Sequence, residues 1–397
     1  MPDITIPENS DLAIGSSDLP YLKEITWDGS YRDFYTCNLK FGHRKKILTR
    51  FRSKIFLSPL GGFIVYYKDK HWYLYNTRKE KTRGLTEKIK TPFFNEDHDY
   101  PSEIPSYGIG GWTENDSSVL IYDKYDIWEF YTRSNKYTCL TGREGRKNKI
   151  KFRIQKMDPE AKFFKRNSPC LLTAYSDEEK YTTFYRGQIG KTNVKPLIKE
   201  KKKFKFLKKS KNADKIIFTR ESFVEFPDIW MSDSDFKSRE RISNVNPQIK
   251  DFLWGVSELI EWKSLDGKRL QGVVIKPENF NPNKKYPVLV YFYRFFSHRL
   301  HEFNQIVGTH RPCFPFYTSD GYIIFLPDIR FEVGKPGISA YQCIVPGVLK
   351  LIDMGIADPE AIGLHGHSWS GYQTAFIITQ SHIFAAAIAG APVSNMT

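Results

Sequence analysis

A short unit of strands and turns recurs through the first 250 residues. In residues 57–86 a Ser-Pro-x-Gly turn leads to an apolar run, a polar turn, an aromatic run and a closing Leu-Thr pair. Residues 112–141 and 211–243 repeat this order, and residues 170–198 hold a looser copy. β-Branched and aromatic runs separated by polar turns predict antiparallel strands. Since one such unit cannot bury its faces alone, the repeats predict part of a β-propeller, with an irregular β-sandwich as the alternative.

The pattern changes after residue 255. An Asp-Gly pair at 266–267 predicts a hairpin, and continuous apolar runs at 288–293 and 322–326 alternate with segments of helical spacing. Such runs are typical of parallel strands that helices cover on both faces. We therefore predict a partial β-propeller over residues 1–255 and the N-terminal part of an α/β domain over residues 256–397.

A turn of small residues around Ser368 is the most specific local motif. The sequence Gly-His-Ser-Trp-Ser-Gly at 366–371 follows a buried strand pattern at 361–364 and precedes a helical pattern. This context predicts the nucleophile elbow of the α/β-hydrolase fold, although Ser370 departs from the strict G-x-S-x-G pattern. Ser368 is then the candidate nucleophile, and the main-chain N–H of Trp369 is a candidate oxyanion donor. The alternative is a loop serine that caps the following helix.

An activated serine also needs a base and a carboxylate that orients the base. In this fold both follow the serine in the chain. No Asp or Glu follows Ser368, and the later His382 falls inside or just after the elbow helix. His365 and His367 are too close in sequence to fold back onto Ser368, so packing roles are favoured for both. We therefore expect the triad Asp and His outside this chain, which implies a truncated α/β-hydrolase-type sheet and a catalytically incomplete chain.

Residues 358–395 resemble the prolyl oligopeptidase family of serine peptidases, whose members typically show D-P-x-x-I-G-x-x-G-x-S-x-G-G-Y in this region. Residues 284–296 and 321–330 resemble the early strands of the same catalytic domain. The resemblance implies a β-propeller followed by an α/β-hydrolase domain. It is specific from about residue 257 and rests on architecture alone before that point. Residues 293–296 also depart from the family, because most members carry a Gly-rich loop there.

The resemblance implies two further site residues. Tyr293 aligns with an oxyanion-binding tyrosine of some members, and the alternative is an ordinary tyrosine at a strand end. Dipeptidyl-type members hold the substrate amine with paired glutamates from the propeller. Glu103 lies in a plausible inserted segment and is our substrate-binding candidate, but no adjacent Glu accompanies it. Exopeptidase specificity is therefore not supported.

Composition limits the remaining function classes. The formal net charge is +15, and the Lys-rich segment 199–211 contributes to it. Without a nucleic-acid motif, a solvated face is the better interpretation, so we expect no nucleic-acid partner. The five cysteines form no C-x-x-C pair, and with no metal-ligand cluster or phosphate-binding loop we expect no metal and no cofactor.

Membrane and export signals are also missing from the sequence. No apolar run approaches the roughly 18 residues of a transmembrane helix. No signal peptide is visible either. We expect a soluble protein, cytoplasmic, or periplasmic or secreted if an N-terminal signal is missing from this chain. The sequence leaves the oligomeric state and the compartment open.

These observations predict a serine-type peptidase that hydrolyses peptide bonds through an acyl-enzyme on Ser368, with the propeller restricting access to the site. One alternative is a propeller binding or scaffold protein whose hydrolase domain is degenerate, which Ser370 and the missing Gly-rich loop would favour. Another is an esterase on the same fold.

Overall fold

The first 241 residues form five consecutive four-stranded units of the propeller-blade type. The computed structural model describes residues 3–7 and 10–395. The strands are β1 Asp3–Thr5, β2 Leu12–Ser17, β3 Arg32–Asn38, β4 Arg44–Phe51, β5 Ile55–Leu57, β6 Phe63–Lys68, β7 His71–Asn76, β8 Lys81–Gly84, β9 Ile109–Trp112, β10 Ser118–Tyr122, β11 Ile127–Tyr131, β12 Tyr137–Cys139, β13 Ile150–Gln155, β14 Pro169–Ser176, β15 Thr182–Gln188, β16 Lys195–Pro196, β17 Lys203–Lys209, β18 Ile216–Ser222, β19 Glu225–Ser232 and β20 Glu240–Arg241.

Each of the first three units is a separate sheet in chain order. The fourth and fifth units belong to one sheet, which a single parallel register position between Thr182 and Lys203 joins. A short helix, α1 Glu144–Asn148, precedes the fourth unit. Four-stranded antiparallel units in series are the architecture that the sequence repeats predict.

The closing residues of the repeat have a common structural role. In three blades a hydroxyl just after the fourth strand accepts a hydrogen bond from a main-chain N–H of the third strand. The pairs are Thr86 Oγ1 with Trp72 N at 2.9 Å, Thr141 Oγ1 with Ile127 N at 3.3 Å, and Ser243 Oγ with Ile229 N at 2.8 Å. The recurring Leu-Thr or Ile-Ser pair thus fixes the fourth strand of the blade to the third.

Two of these hydroxyls also donate to a carboxylate. Thr141 donates to Asp126 at 2.6 Å, and Ser243 donates to Asp228 at 2.6 Å. Asp126 is almost fully buried, and it also accepts main-chain N–H groups of the segment that follows the blade. The Asp-Ile-Trp sequence of these two blades is therefore part of a hydrogen-bonded closure of the sheet, since a buried carboxylate needs such partners.

The rest of the chain forms one six-stranded mixed sheet with helices. Its strands are β21 Val256–Lys263, β22 Arg269–Lys276, β23 Tyr286–Tyr291, β24 Ile323–Pro327, β25 Ala357–His367 and β26 Ala386–Gly390, and its helices are α2 Phe314–Ser319, α3 Pro336–Asp353 and α4 Trp369–Gln380. Single 3₁₀ turns lie at Leu19–Glu24, Glu114–Asp116, Pro247–Asp251 and Ser297–His301.

The strand order of this sheet is β21-β22-β24-β23-β25-β26. The strands β23 to β26 are parallel to one another, whereas β21 and β22 form the antiparallel hairpin that the Asp-Gly pair predicts. The strand β22 pairs with β24 in the antiparallel sense. The sheet is therefore of the α/β-hydrolase type, with a parallel part that ends in the predicted elbow.

Two hydrophobic cores cover the two faces of this sheet. In β24, Ile323 and Phe325 point to the face that α3 and α4 cover, and Ile324 and Leu326 point to the opposite face. All five residues of β24 are buried. The continuous apolar runs of the sequence are explained by burial on both faces, as for other parallel strands.

The chain forms two compact units. One comprises Met1–His98, Glu103–Ala174 and Tyr185–Pro196, and the other comprises Asp99–Ser102, Tyr175–Phe184 and Leu197–Thr397. The change from blade strands to the mixed sheet falls between Arg241 and Val256. The domain division at residues 255 and 256 stays a prediction. No helix in the described part of the chain has the length and hydropathy needed to cross a bilayer.

Candidate active site

Ser368 occupies the turn between β25 and α4. Its φ of 59° and ψ of −120° lie in a region that non-glycine residues rarely adopt. The strand ends at His367 and the helix begins at Trp369, so the whole reversal depends on this one residue. This is the strand–turn–helix geometry that the sequence predicts for a nucleophile elbow.

Two glycines make the turn possible because there is no room for a side chain at either position. A Cβ at residue 366 would lie 2.1 Å from the carbonyl oxygen of Ser370. A Cβ at residue 371 would lie 2.6 Å from the carbonyl oxygen of Gly390, on the neighbouring strand β26. The small residues of the motif therefore permit close packing of α4 against the strands.

The Ser370 hydroxyl is hydrogen bonded within the turn. Ser370 is fully buried, and its Oγ accepts the N–H of His367 at 2.8 Å and donates to the carbonyl oxygen of His367 at 2.8 Å. A buried hydroxyl is tolerated when it is satisfied in this way. The departure of residue 370 from the family pattern thus leaves the elbow intact and adds a cross-link to it.

The Ser368 hydroxyl, in contrast, has no hydrogen-bond partner among the described residues. It does not cap α4, although Ser368 occupies the N-cap position. The helix-capping alternative therefore lacks its defining contact. The N–H of Trp369 lies at the first helical position, where helix geometry provides no internal acceptor. The turn thus presents a free hydroxyl next to an N–H that helix geometry leaves unpaired, which are two of the groups that the sequence predicts for acyl transfer.

Tyr293 lies two residues beyond the end of β23, the strand next to β25. The register pairs Tyr291 with His365, so the chain after β23 and the elbow after β25 leave the same edge of the sheet. Tyr293 is 46% exposed, and its hydroxyl has no partner among the described residues. It is thus available to a ligand, and its oxyanion role stays a prediction.

Two carboxylates hold the loop that carries Tyr293. Asp328, at the end of β24, accepts the N–H groups of Phe296 at 2.7 Å and Ser297 at 2.8 Å. Burial raises the pKa of Asp328, and the hydrogen bonds from Ser297 oppose that shift. Asp99 pairs with Arg294 and accepts the N–H of Phe331. Hydrogen bonds to carboxylates therefore fix the loop that carries Tyr293.

The histidines around the elbow have packing contacts. His365 lies edge-on to Tyr291, with ring centroids 5.4 Å apart. Burial lowers the pKa of His365, and the nearby His367 and His310 lower it further. His367 stacks with His310 at a centroid distance of 4.2 Å, a contact that the sequence analysis missed because the two residues are far apart in the chain. His382 is exposed, and none of these histidines bonds to Ser368 among the described residues.

Glu103 is exposed and belongs to the first compact unit, whereas Ser368 belongs to the second. Burial raises the pKa of Tyr67, in the same unit, to about 12, and the nearby Glu103 carboxylate adds to that shift. A role of Glu103 in substrate binding therefore stays a prediction.

Comparison with known proteins supports this geometry. Residues 314–397 match the model of the prolyl oligopeptidase family. Mouse dipeptidyl peptidase 8 is 30% identical over 150 residues, which are 34% of this chain and 17% of that protein. The chain therefore spans about a sixth of the length of this curated relative.

Two solved structures share the fold of nearly the whole chain. A Bacteroides ovatus protein described as a dipeptidyl aminopeptidase IV gives a TM-score of 0.65 at 15% identity, covering 98% of this chain and 62% of that one. A post-proline cleaving enzyme from Rickettsia typhi gives 0.62 at 15% identity, covering 100% and 59%. Such identities show the fold alone, which is a β-propeller followed by an α/β-hydrolase sheet, as predicted. The α/β part of this chain is thus similar to the prolyl oligopeptidase family over residues 314–397.

Proposed function

We propose that the protein is a serine peptidase that cleaves peptide bonds through an acyl-enzyme on Ser368. The observation that carries the proposal is the free Ser368 hydroxyl on a strained strand-to-helix turn. The names of the relatives, a dipeptidyl peptidase and a post-proline cleaving enzyme, support peptides as the substrate class. The relatives alone do not select an exopeptidase or an endopeptidase.

The reaction would begin with attack of Ser368 Oγ on the scissile carbonyl carbon, while a histidine base takes the hydroxyl proton. The carbonyl oxygen becomes an oxyanion, which the N–H of Trp369 and the hydroxyl of Tyr293 would stabilise. Collapse of the tetrahedral intermediate breaks the C–N bond, and the leaving amine takes the proton from the histidine. Water then attacks the acyl-enzyme, releases the acid product and regenerates Ser368.

We place the histidine base and its carboxylate outside residues 3–7 and 10–395, because no described residue hydrogen bonds to Ser368 Oγ. Because a serine without its base is a poor nucleophile, we assign the activity to the full-length protein. The propeller would restrict access to short or unfolded peptides, so folded protein substrates should be cleaved slowly.

The test is a fluorophosphonate probe combined with peptide hydrolysis by the full-length protein. We expect covalent labelling at Ser368, hydrolysis of peptide substrates, and loss of both in Ser368→Ala. An absence of labelling would favour the scaffold alternative. Hydrolysis of simple esters without any cleavage of peptides would favour the esterase.

A further inference from the structure

A cleft in the second compact unit has an excess of positive charge. It encloses about 530 Å³ between the blade strands β17 to β19 and the segment 299–311. Its charged lining is Lys203, Lys205, Arg299, Arg311, Glu221 and Glu302. Four cations face two carboxylates, so the lining carries an excess of two positive charges.

Both carboxylates are already occupied. Lys203 lies 2.7 Å from Glu302 and 3.0 Å from Glu221. Glu221 also accepts the main-chain N–H of Phe303 at 3.0 Å. Glu302 further faces Arg299 at 3.7 Å. The two carboxylates therefore balance Lys203 and Arg299, and they leave the other two cations uncompensated.

Arg311 and Lys205 are these uncompensated cations, since neither has a carboxylate partner among the described residues. Arg299 is also under-satisfied, because its Nε is buried without a hydrogen-bond partner in the described part of the chain. Burial lowers the pKa of Arg299, Glu302 opposes this shift, and the charge of Arg311 adds to it. Two guanidinium groups thus repel each other across the cleft, and a bound anion would relieve that repulsion.

The segment that lines one side of the cleft also contacts the elbow strand. His310 precedes Arg311 and stacks on His367, the residue before Ser368, at a centroid distance of 4.2 Å. Tyr291, which faces the charges of both Arg311 and Arg299, contacts His365 on the elbow strand. The cleft therefore lies near the carboxyl end of β23, where ligands of open α/β sheets bind.

From this arrangement we propose that Arg311 and Lys205, with Arg299 behind them, form a carboxylate-binding subsite for the peptide substrate. The inference rests on the proposed function, because the anions of an unmodified peptide are the carboxylates of Asp, Glu and the C-terminus. Charge-assisted hydrogen bonds from guanidinium to carboxylate are among the strongest polar contacts available to such a site.

The experiment uses the full-length protein and quenched peptides without charged side chains. Each peptide is tested as a C-terminal acid and as a C-terminal amide. In the amide form, Gln and Glu are then compared at each position of the peptide, one position at a time. We expect kcat/KM for at least one acidic form to exceed that of its neutral partner about tenfold, as for one partly exposed charge-assisted contact. Preference for the C-terminal acid or for Glu identifies which carboxylate is bound.

Arg311→Gln and Lys205→Gln should bring this ratio close to one, and Arg311→Lys should restore part of it. Lys208 lies on the same strand as Lys205, is exposed and does not line the cleft, so Lys208→Gln is the matched control and should keep the ratio. Equal loss in Lys208→Gln would overturn the subsite, since the effect would then be a general field of positive charge.

Cleavage of neutral and acidic peptides at equal rates would overturn the subsite and leave the proposed function standing. Absence of any peptide cleavage would overturn the proposed function. Binding of the same peptides to the Ser368→Ala protein, measured by fluorescence anisotropy, tests the subsite without catalysis. Equal affinity for acid and amide forms in that assay would also overturn it.

Discussion

The blades and the elbow use hydroxyl groups in opposite ways. In the third blade the Thr141 hydroxyl is buried, accepts a main-chain N–H and donates to Asp126. At the elbow Ser368 keeps its hydroxyl free of hydrogen bonds to any described residue, on a backbone with a positive φ. The first arrangement contributes to stability, whereas the second leaves a hydroxyl available for the proposed reaction at the cost of strain. The proposed function and the stability of the blades thus involve the same chemical group at different places in the chain.

The blades and the elbow also differ in redundancy. The hydroxyl closure occurs in three blades, so the loss of one removes a fraction of the support. The elbow occurs once, and its geometry depends on Gly366, Gly371 and Ser370 together. Substitutions in the elbow should therefore have larger effects than substitutions in a blade.

Replacement of Ser368 should have the largest effect. In Ser368→Ala we expect peptide hydrolysis by the full-length protein to fall by about 10⁴-fold to 10⁶-fold, as for other serine nucleophiles. Ser381→Ala, at the other end of α4, is the control and should keep its activity. Steady-state kinetics with one peptide substrate measures both, and retention of a tenth of the activity in Ser368→Ala would exclude Ser368 as the nucleophile.

Replacement of an elbow glycine should have the largest effect on stability. Gly366→Ala places a Cβ 2.1 Å from a main-chain oxygen, and we expect a loss of about 3 kcal/mol or more in the free energy of unfolding. Gly308→Ala is the control, because a Cβ there meets nothing within 4 Å. Urea denaturation of both variants checks this, and equal stabilities would mean that the turn relaxes around a side chain.

Loss of one blade closure should have a smaller effect. Thr141→Val removes an acceptor for Ile127 N and a donor to Asp126, so we expect a loss of about 1–3 kcal/mol. Thr138→Val on β12 is the matched control, since the Thr138 side chain makes no hydrogen bond to a described residue. If both variants unfold at the same urea concentration, the closure does not stabilise the blade.

The smallest effects are on the pH dependence of stability, and they should have opposite signs in the two regions. Burial raises the folded-state pKa of Asp126, so its contribution is present below its unfolded pKa of 3.8 and is lost as the pH rises through the folded value. Burial lowers the folded-state pKa of His365, so its contribution is present above 6.5 and is lost as the pH falls through the folded value.

Unfolding free energies of the wild type, Asp126→Asn and His365→Gln, measured between pH 3 and 8 in steps of about one unit, separate the two groups. The difference between the wild type and Asp126→Asn should shrink as the pH rises from 3.8. The difference between the wild type and His365→Gln should shrink as the pH falls below 6.5. Parallel curves in either comparison would exclude that group as the source of the dependence.

The sequence predicts those features whose residues are contiguous in the chain or recur at regular intervals. The elbow was predictable because the strand, the small-residue turn and the helix are contiguous, and the blades were predictable because their closing residues recur. The pairing of Asp99 with Arg294 was not, because the two residues are 195 positions apart and neither belongs to a recurring motif. The stacking of His310 on His367 depends in the same way on tertiary packing, which no periodicity encodes.

The two hydrogen bonds of Ser370 have a consequence for exchange kinetics. The amide proton of His367 is held by a side-chain oxygen at 2.8 Å and not by the ladder of a neighbouring strand. Its exchange with solvent deuterium therefore requires only that the Ser370 rotamer or the first turn of α4 moves, while exchange deeper in β25 requires separation of strands. The rate of amide exchange at His367 would thus measure local opening of the turn itself, without any substrate or inhibitor.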